Sequence, residues 1–134
     1  MKTYIIAYLS SLISMLAIDF VWLNLMAKRF YLKYIGHLMS ENPNFIVAGI
    51  FFLIYAAGLS LLVIIPSIEQ NYSNLKIFAL SALLGFVCYA TYDLTNQATL
   101  KDWPTLVTLV DLAWGALLTG TVGLISVLVT KYFI

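Results

Sequence analysis

Four long apolar runs constrain this chain more than any other feature. A helix needs about 20 mostly apolar residues to cross a bilayer, and the segments 3–27, 45–65, 75–94 and 105–130 meet that requirement. Of the 134 residues, 63% are hydrophobic and only 10% are charged, whereas soluble domains average about 25% charged residues. We therefore predict an integral membrane protein with a single transmembrane domain, residues 1–134.

The connections between these runs are short enough to define the topology. Residues 67–74 form a polar turn after Pro66, and residues 95–103 lead to Pro104. Proline favours a helix start, because its missing N–H is not needed there. Neighbouring spans joined in this way run antiparallel. The sequence thus predicts an all-α, up-down four-helix bundle, with the second span ending at Pro66 and both termini on one side.

The first connection, residues 28–44, has a helical pattern of its own. Its apolar side chains recur every three or four residues, opposite the basic residues Lys28, Arg29 and Lys33. This pattern is typical of a short amphipathic helix in the headgroup region, with basic side chains extending to lipid phosphates. We predict such a helix directly after the first span, with an apolar face of Phe30, Tyr31, Tyr34, Ile35 and Leu38.

The charge pattern limits the classes of partner. The net charge is +1 and no basic stripe extends beyond that cluster, which argues against nucleic-acid binding. Four basic residues lie on the side of the first and third connections, called the loop side below, and three lie on the side of the termini. The positive-inside rule then favours a cytoplasmic loop side. The single cysteine, Cys88, forms no intrachain disulfide and is interpreted as a small packing residue.

Three aspartates lie inside or at the end of the apolar runs, where a charge costs a few kcal/mol or more. Asp19 is eight residues from the end of the first span, roughly 12 Å inside, and Asp111 is six residues after the start of the fourth, roughly 9 Å inside. Asp93 lies at the loop-side end of the third span, where a hydrogen bond to the following turn is the structural alternative. We predict that all three meet in one pocket.

Aromatic and polar residues accompany these acids at helical spacing. Trp22 follows Asp19 by three residues and Trp114 follows Asp111 by three, so Asp-x-x-Trp occurs in two antiparallel spans, as an inverted repeat. The predicted feature is a cavity open to the loop side, with carboxylates at depth and aromatic walls. Its candidate ligand-binding residues are Asp19, Trp22, Tyr89, Tyr92, Asp93, Asn96, Asp111 and Trp114.

Small residues at four-residue spacing predict close helix packing. Gly115, Thr119 and Gly123 form such a ladder on the fourth span, and Ser81 and Gly85 form one on the third. Faces of this kind let membrane helices approach closely. We interpret the ladder as an internal contact, with a homodimer as the alternative.

Several kinds of chemistry suit such a cavity. Carboxyl groups close together in a nonpolar medium can hold and release protons near neutral pH. They can also bind a cation, with cation–π attraction from the rings. They could supply oxygen ligands to a metal such as calcium, or act as acid and base on a lipid. The sequence contains no His/Cys metal pattern, phosphate-binding loop or nucleophile motif.

Purely structural roles are the competing interpretation. Asp19 and Asp111 would then pair with Lys28, with Lys101 or with a neighbouring helix, and would hold the bundle together. Trp103, in the third connection, fits an interfacial aromatic belt better than a cavity wall.

Three motifs contain most of these residues. They are Asp19-x-x-Trp22-Leu23, then Tyr92-Asp93-Leu94-Thr95-Asn96-x-Ala98-Thr99-Leu100-x-x-Trp103-Pro104, and Asp111-x-x-Trp114-Gly115. Together they resemble a bacterial family of predicted inner-membrane proteins that carries a domain-of-unknown-function label. The resemblance covers nearly the whole chain. It implies a small bacterial four-helix membrane protein whose signature includes these aspartates and tryptophans, and it implies no particular activity.

These residues favour a membrane binding or transport protein. Asp19 and Asp111, with Asp93 at the mouth, would hold a small cationic or amphipathic ligand and couple its binding to protons. The first alternative is a membrane-embedded enzyme that acts on a lipid or isoprenoid-like substrate through the aspartates, which needs a lateral opening between helices. The second is a structural or accessory subunit of a membrane complex. Enzymatic activity and any cofactor are left open by the sequence.

Overall fold

The chain folds into four long helices and contains no β-strand. A computed structural model describes residues 1–134, and each apolar run is helical and long enough to cross a membrane. The helices are α1 Lys2–Leu38, α2 Phe45–Glu69, α3 Asn74–Thr99 and α4 Thr105–Phe133. The predicted all-α, four-helix membrane fold is confirmed.

Short polar residues mark the helix starts and the tight connections. The Asn44 side chain accepts hydrogen bonds from two backbone N–H groups at the start of α2, and the Ser73 side chain accepts one at the start of α3. Both satisfy N–H groups that have no partner within the helix. Pro104 precedes α4, as predicted. Asn71 and Asp102 adopt positive φ values of 52° and 62° in the two shortest connections, a conformation that Asn and Asp tolerate better than most residues.

The outer surface of the bundle is apolar. Large side chains such as Phe20, Ile54 and Leu62 are about two-thirds exposed. A soluble monomer rarely exposes such a continuous apolar surface. In a bilayer the same side chains contact lipid tails, so the surface agrees with a membrane location.

The third and fourth helices are longer than predicted. α3 runs to Thr99 rather than to residue 94, and α4 runs to Phe133 rather than to residue 130. Asp93 therefore lies six residues inside α3 instead of at its end, about 9 Å from the terminus. Asp111 is also six residues inside its helix, counted from Thr105. The two carboxyl groups consequently lie at the same depth.

The first helix does not stop at residue 27. It continues through a π-helical turn at Ala27–Tyr31 and an α-helical turn at Leu32–Ile35, and it finishes as a 3₁₀ turn at Gly36–Leu38. The predicted amphipathic helix is thus present, but it joins the first span directly. A π turn holds more residues than an α turn, which changes the direction of every side chain after it.

The prediction that Pro66 ends the second span is wrong. α2 passes through Pro66 and ends at Glu69. A π-helical stretch, Ser60–Ile64, comes immediately before the proline. Proline has no N–H, so it leaves a backbone carbonyl group of the preceding turn without a hydrogen-bond donor. Membrane helices tolerate this where a local π or 3₁₀ turn supplies another donor, and the stretch Ser60–Ile64 is such a turn.

The predicted ladder of small residues is an internal contact between α3 and α4. A Cβ atom at Gly85 would overlap the Gly115 carbonyl oxygen and the Thr119 side chain, and one at Gly123 would overlap Ser81. The two backbones therefore approach closely along the whole ladder. The ladder faces α3 and is not free for a second copy of the chain.

Two buried hydrogen bonds attach α2 to its neighbours. The hydroxyl groups of Ser11 on α1 and Ser60 on α2 are 3.1 Å apart, and those of Tyr55 on α2 and Thr119 on α4 are 2.8 Å apart. Hydrogen bonds between membrane helices contribute about 0.5–2 kcal/mol each. Tyr55 lies near the middle of α2, and Ser60 lies in the half that is farther from the loop side.

The loop-side half of α2 makes few close backbone contacts with α3. Residues Phe45–Leu59 pack against α1, but close packing of α2 on α3 is confined to Ser60–Ile64. Between the loop-side ends of α2 and α3 there is consequently a gap. Tyr55, which is hydrogen-bonded to Thr119 of α4, lies between this gap and Ser60 along α2.

We expect Gly85→Ala to destabilise the bundle by about 1–3 kcal/mol, the usual cost of adding a methyl group to a packed interior. The added atom would collide with the Gly115 carbonyl oxygen, which belongs to the backbone and cannot rotate away. Denaturant unfolding in detergent micelles measures the change. Gly58→Ala is the matched control, because nothing lies within 4 Å of a Cβ at Gly58. Equal stability of the two variants would contradict the close α3–α4 contact.

Candidate functional site

A cavity of about 530 Å³ lies among the four helices on the loop side of the bundle. Of its 14 lining residues, 12 are hydrophobic, and Asp19 and Asp111 are the two exceptions. Pockets of this size hold drug-sized molecules. Six of the eight candidate residues from the sequence line it, namely Asp19, Trp22, Tyr89, Tyr92, Asp111 and Trp114.

The two tryptophans of the repeated motif stack against each other. The rings of Trp22 and Trp114 have centroids 4.1 Å apart and planes inclined by 7°. One ring comes from α1 and the other from α4. Such an aromatic pair contributes about 0.5–1.5 kcal/mol beyond the burial of its area, so the stack joins the two helices at the cavity wall.

Each aspartate of the repeat is connected to the tryptophan of the other copy. The Trp114 indole N–H donates a hydrogen bond of 3.1 Å to Asp19. The Trp22 indole N–H donates to the Tyr31 hydroxyl at 3.1 Å, and that hydroxyl donates to Asp111. One connection is direct and the other passes through Tyr31.

The antiparallel direction of the helices explains this crossed pattern. On α1, Trp22 lies about 4.5 Å closer to the loop side than Asp19, whereas on α4 the aspartate is closer by the same amount. Asp19 is therefore level with Trp114, and Trp22 is level with Asp111. The inverted Asp-x-x-Trp repeat in the sequence corresponds to this arrangement in space.

Tyr31 is a site residue that the sequence analysis missed. It was assigned to the apolar face of an interfacial helix, yet its hydroxyl group reaches Asp111 in the cavity. The π-helical turn that contains Tyr31 sets the direction of its side chain. The signal that could have identified it is a tyrosine nine residues after the tryptophan of the first Asp-x-x-Trp motif.

Asp93 lies behind the cavity wall rather than at the mouth. Its side chain is fully buried, and neither carboxyl oxygen has a hydrogen-bond donor within reach. The expected hydrogen bond to the following turn is absent. Its carboxyl group lies within hydrogen-bonding reach of that of Asp111. Because two carboxylates are both acceptors, this contact becomes a hydrogen bond only when a proton lies between them.

The three aspartates form a chain of neighbours rather than one cluster. Asp111 lies between the other two, next to Asp93 and close enough to Asp19 for their charges to interact. No three His, Cys, Asp or Glu side chains in the chain are arranged to hold a metal ion together. The geometry therefore does not favour a three-carboxylate calcium site.

The observed contacts agree with a purely structural role of the acids in one respect only. The hydrogen bond from Trp114 to Asp19 joins two helices, as that interpretation predicts. Lys28 and Lys101 are exposed, and the hydrogen-bond partners of Asp19 and Asp111 are aromatic side chains instead. No basic residue is among the residues that line the cavity.

Two further residues differ from their expected positions. Asn96 does not line the cavity; its backbone carbonyl accepts the hydrogen bond that ends α3. Trp103, expected in an interfacial belt, does line it. The Trp103 ring meets Tyr92 edge to face at 5.9 Å, and its indole N–H donates to Thr108 at 3.1 Å. Trp103 thus covers the loop-side end of the cavity.

The arrangement of α1 and α4, with paired acids and stacked tryptophans, lies within the segment that matches a known family model. Residues 4–128 match the family described as "Predicted membrane protein (DUF2177)". The chain belongs to this family. No curated protein and no solved structure matches the chain. The family description supports the membrane location, and all eight candidate residues lie within the matched segment.

We expect Tyr31→Phe to destabilise the protein by about 1–2 kcal/mol, the upper range for hydrogen bonds between membrane helices. The change removes both the donor to Asp111 and the acceptor of the Trp22 N–H. Unfolding in micelles measures the loss. Tyr34→Phe is the control, since Tyr34 lies in the same extension outside the cavity wall. Unchanged stability of Tyr31→Phe would contradict the bridging role.

Proposed function

We propose that this protein binds, and transports across or within the membrane, a small amphipathic ligand with a positive charge. The observation that carries the proposal is the composition of the cavity wall, in which Asp19 and Asp111 face a space otherwise enclosed by apolar and aromatic side chains. A positive group would neutralise these acids, and the rings of Trp22, Trp114 and Tyr89 would add cation–π attraction.

Asp111 is the residue we assign to the charged group of the ligand. Its present donor, the Tyr31 hydroxyl, is a neutral group, and a charge-assisted hydrogen bond from a cation is about twice as strong. A cationic ligand could therefore replace Tyr31 at Asp111. The freed phenol would remain hydrogen-bonded to Trp22.

The neighbouring Asp93 supports a role for protons in this exchange. A buried carboxyl group without any donor is costly, and a proton held between Asp93 and Asp111 relieves that cost. A cation that binds at Asp111 would displace this proton, so binding of the ligand and release of a proton become coupled.

Two hydrophobic ions of similar shape and opposite charge test the proposal. We expect purified protein to bind tetraphenylphosphonium, a cation, and not tetraphenylborate, an anion of similar size, in equilibrium dialysis. Asp111→Asn and Asp19→Asn should each lower the affinity about tenfold or more, because each removes a negative charge that attracts the cation in a nonpolar cavity. Asp102→Asn, an exposed acid in a turn, should change nothing. Equal binding of both ions, or full binding by Asp111→Asn, would contradict the proposal.

The pH dependence of binding tests the shared proton. Because the cation competes with a proton, affinity should increase as pH rises, by up to about tenfold per pH unit when one proton leaves for each cation bound. In Asp93→Asn the amide group donates to Asp111 without a shared proton, so the dependence on pH should flatten. Dialysis at pH values from 5 to 9 measures it. An unchanged slope in Asp93→Asn would remove Asp93 from the mechanism.

A membrane enzyme is the second candidate function. The gap between α2 and α3 is the lateral opening that a lipid or isoprenoid-like substrate would need. In that case Asp19 and Asp111, which both line the cavity, would act as acid and base. Mass spectrometry of membrane lipids incubated with wild-type protein and with Asp111→Asn distinguishes the two: only an enzyme changes the chemical identity of a lipid. An accessory subunit would instead co-purify with a larger complex.

We also infer that the protein resides in a bacterial inner membrane with its loop side in the cytoplasm. The motif resemblance supports the first part, and the excess of basic residues on the loop side supports the second. In a Cys88→Ser background, a cysteine at Lys33 should resist a membrane-impermeant maleimide in intact cells, and one at Lys131 should react. The reverse pattern would invert the orientation.

A further inference from the structure

We propose that the ligand reaches the cavity sideways, from the loop-side leaflet of the bilayer, through the gap between α2 and α3. The occupant is a membrane-dissolved amphiphile with an amine head group and an alkyl tail. The inference rests on the proposed function and specifies the class and the source of the ligand.

The position of the gap supports this route. Close packing of α2 on α3 is confined to Ser60–Ile64, and the part of α2 toward the loop side makes few close backbone contacts with α3. Phe51 of α2 and Tyr92 of α3 both line the cavity, and they are 48% and 60% exposed. The gap therefore leads from the lipid-facing surface directly into the cavity, at the depth of the acyl chains of one leaflet.

The route from water is more obstructed. Trp103 covers the loop-side end of the cavity, where its ring contacts Tyr92 and its N–H is bonded to Thr108. Tyr31 is fixed between Trp22 and Asp111 on the same side. A ligand from the loop-side solution would have to move Trp103 before it reached Tyr31 and Asp111, whereas a ligand in the leaflet would not have to move Trp103.

The distribution of polarity along the route indicates an amphiphile. The gap is bordered by apolar and aromatic side chains, and the acids lie at its inner end, with Asp111 level with the buried Asp93. An alkyl tail in the gap would contact apolar and aromatic side chains, while the amine would bind Asp111. No basic residue lines the cavity that could receive an anionic head group instead.

The native cysteine makes the gap directly testable. Cys88 is the only cysteine and lines the cavity on α3. In Phe51→Cys a bifunctional maleimide can join positions 51 and 88 and so tie α2 to α3 across the gap. Ile54→Cys is the matched control, because Ile54 is on α2 one turn away but faces lipid and lies outside the cavity wall.

The measurement is binding of a radiolabelled long-chain alkylamine to protein in liposomes. Because the reagent also modifies Cys88 in the cavity wall, binding by cross-linked Phe51→Cys is compared with binding by Ile54→Cys treated with the same reagent, and we expect it to be at least tenfold lower. Binding that is unaffected by the cross-link overturns lateral access and leaves the proposed function in place. Failure of the wild-type chain to bind either this amine or tetraphenylphosphonium overturns the proposed function itself.

A second measurement requires no cross-link. An alkylamine with a diazirine in its tail, activated by light in liposomes, should label peptides that contain Phe51 and Tyr92, and excess unlabelled amine should compete. The corresponding alkyl sulfate, an anion, should label neither peptide above background. Labelling without competition, or labelling confined to lipid-facing positions on other peptides such as Ile13 and Leu128, would overturn the proposal.

Discussion

A carboxylate in hydrocarbon must find a hydrogen-bond donor, and this requirement organises the loop-side half of the molecule. With no basic residue among those that line the cavity, the donors come from aromatic side chains. Trp114 donates a hydrogen bond to Asp19. Tyr31, which accepts a hydrogen bond from Trp22, donates one to Asp111. These bonds align α1 with α4 and bring the two tryptophans into a stack. The arrangement leaves Asp93 without a donor, which makes it the one acid that needs a proton or a cation from elsewhere.

Packing density differs between the two sides of the bundle, and the difference positions the cavity. Along α3 and α4, glycine and small polar residues bring the backbones together so closely that an added methyl group would overlap neighbouring atoms. α2 lacks such a ladder toward α3 near the loop side, and its π-helical stretch and Pro66 lie toward the other end. The bundle is consequently tight on one side and open on the other. The tightly packed pair of α3 and α4, which carries Asp93 and Asp111, faces the loosely packed part of α2, which is a suitable arrangement for a site that admits a guest.

Most of the fold could be predicted from the sequence because it depends on length and polarity, which are one-dimensional properties. Run lengths predict the four spans, and short connections predict their alternation. Position along a helix follows from counting residues, which is why the sequence predicts that Asp19 and Asp111 lie on the same side of the bundle, and both line the cavity. Helix ends in the headgroup region depend on lipid and water contacts that the sequence does not encode. The α3 end, and with it the surroundings of Asp93, was therefore wrong.

Side-chain direction was harder to predict than depth. The π turn at Ala27–Tyr31 rotates the residues after it, so helical periodicity alone could not direct Tyr31 toward Asp111. Trp103 lies in a connection, where periodicity gives no information. Asn96 shares a helix face with Asp93 in a regular helix, but on α3 the residues that line the cavity are Cys88, Tyr89 and Tyr92.

The chain has three tryptophans, and all of them border the same cavity. The ultraviolet emission of the protein therefore originates almost entirely from that one place. A guest that contacts the stacked indoles, or moves the phenol bonded to one of them, would alter the intensity and the wavelength of this fluorescence. The molecule thus contains an intrinsic optical reporter of occupancy, which needs neither a dye nor a substitution.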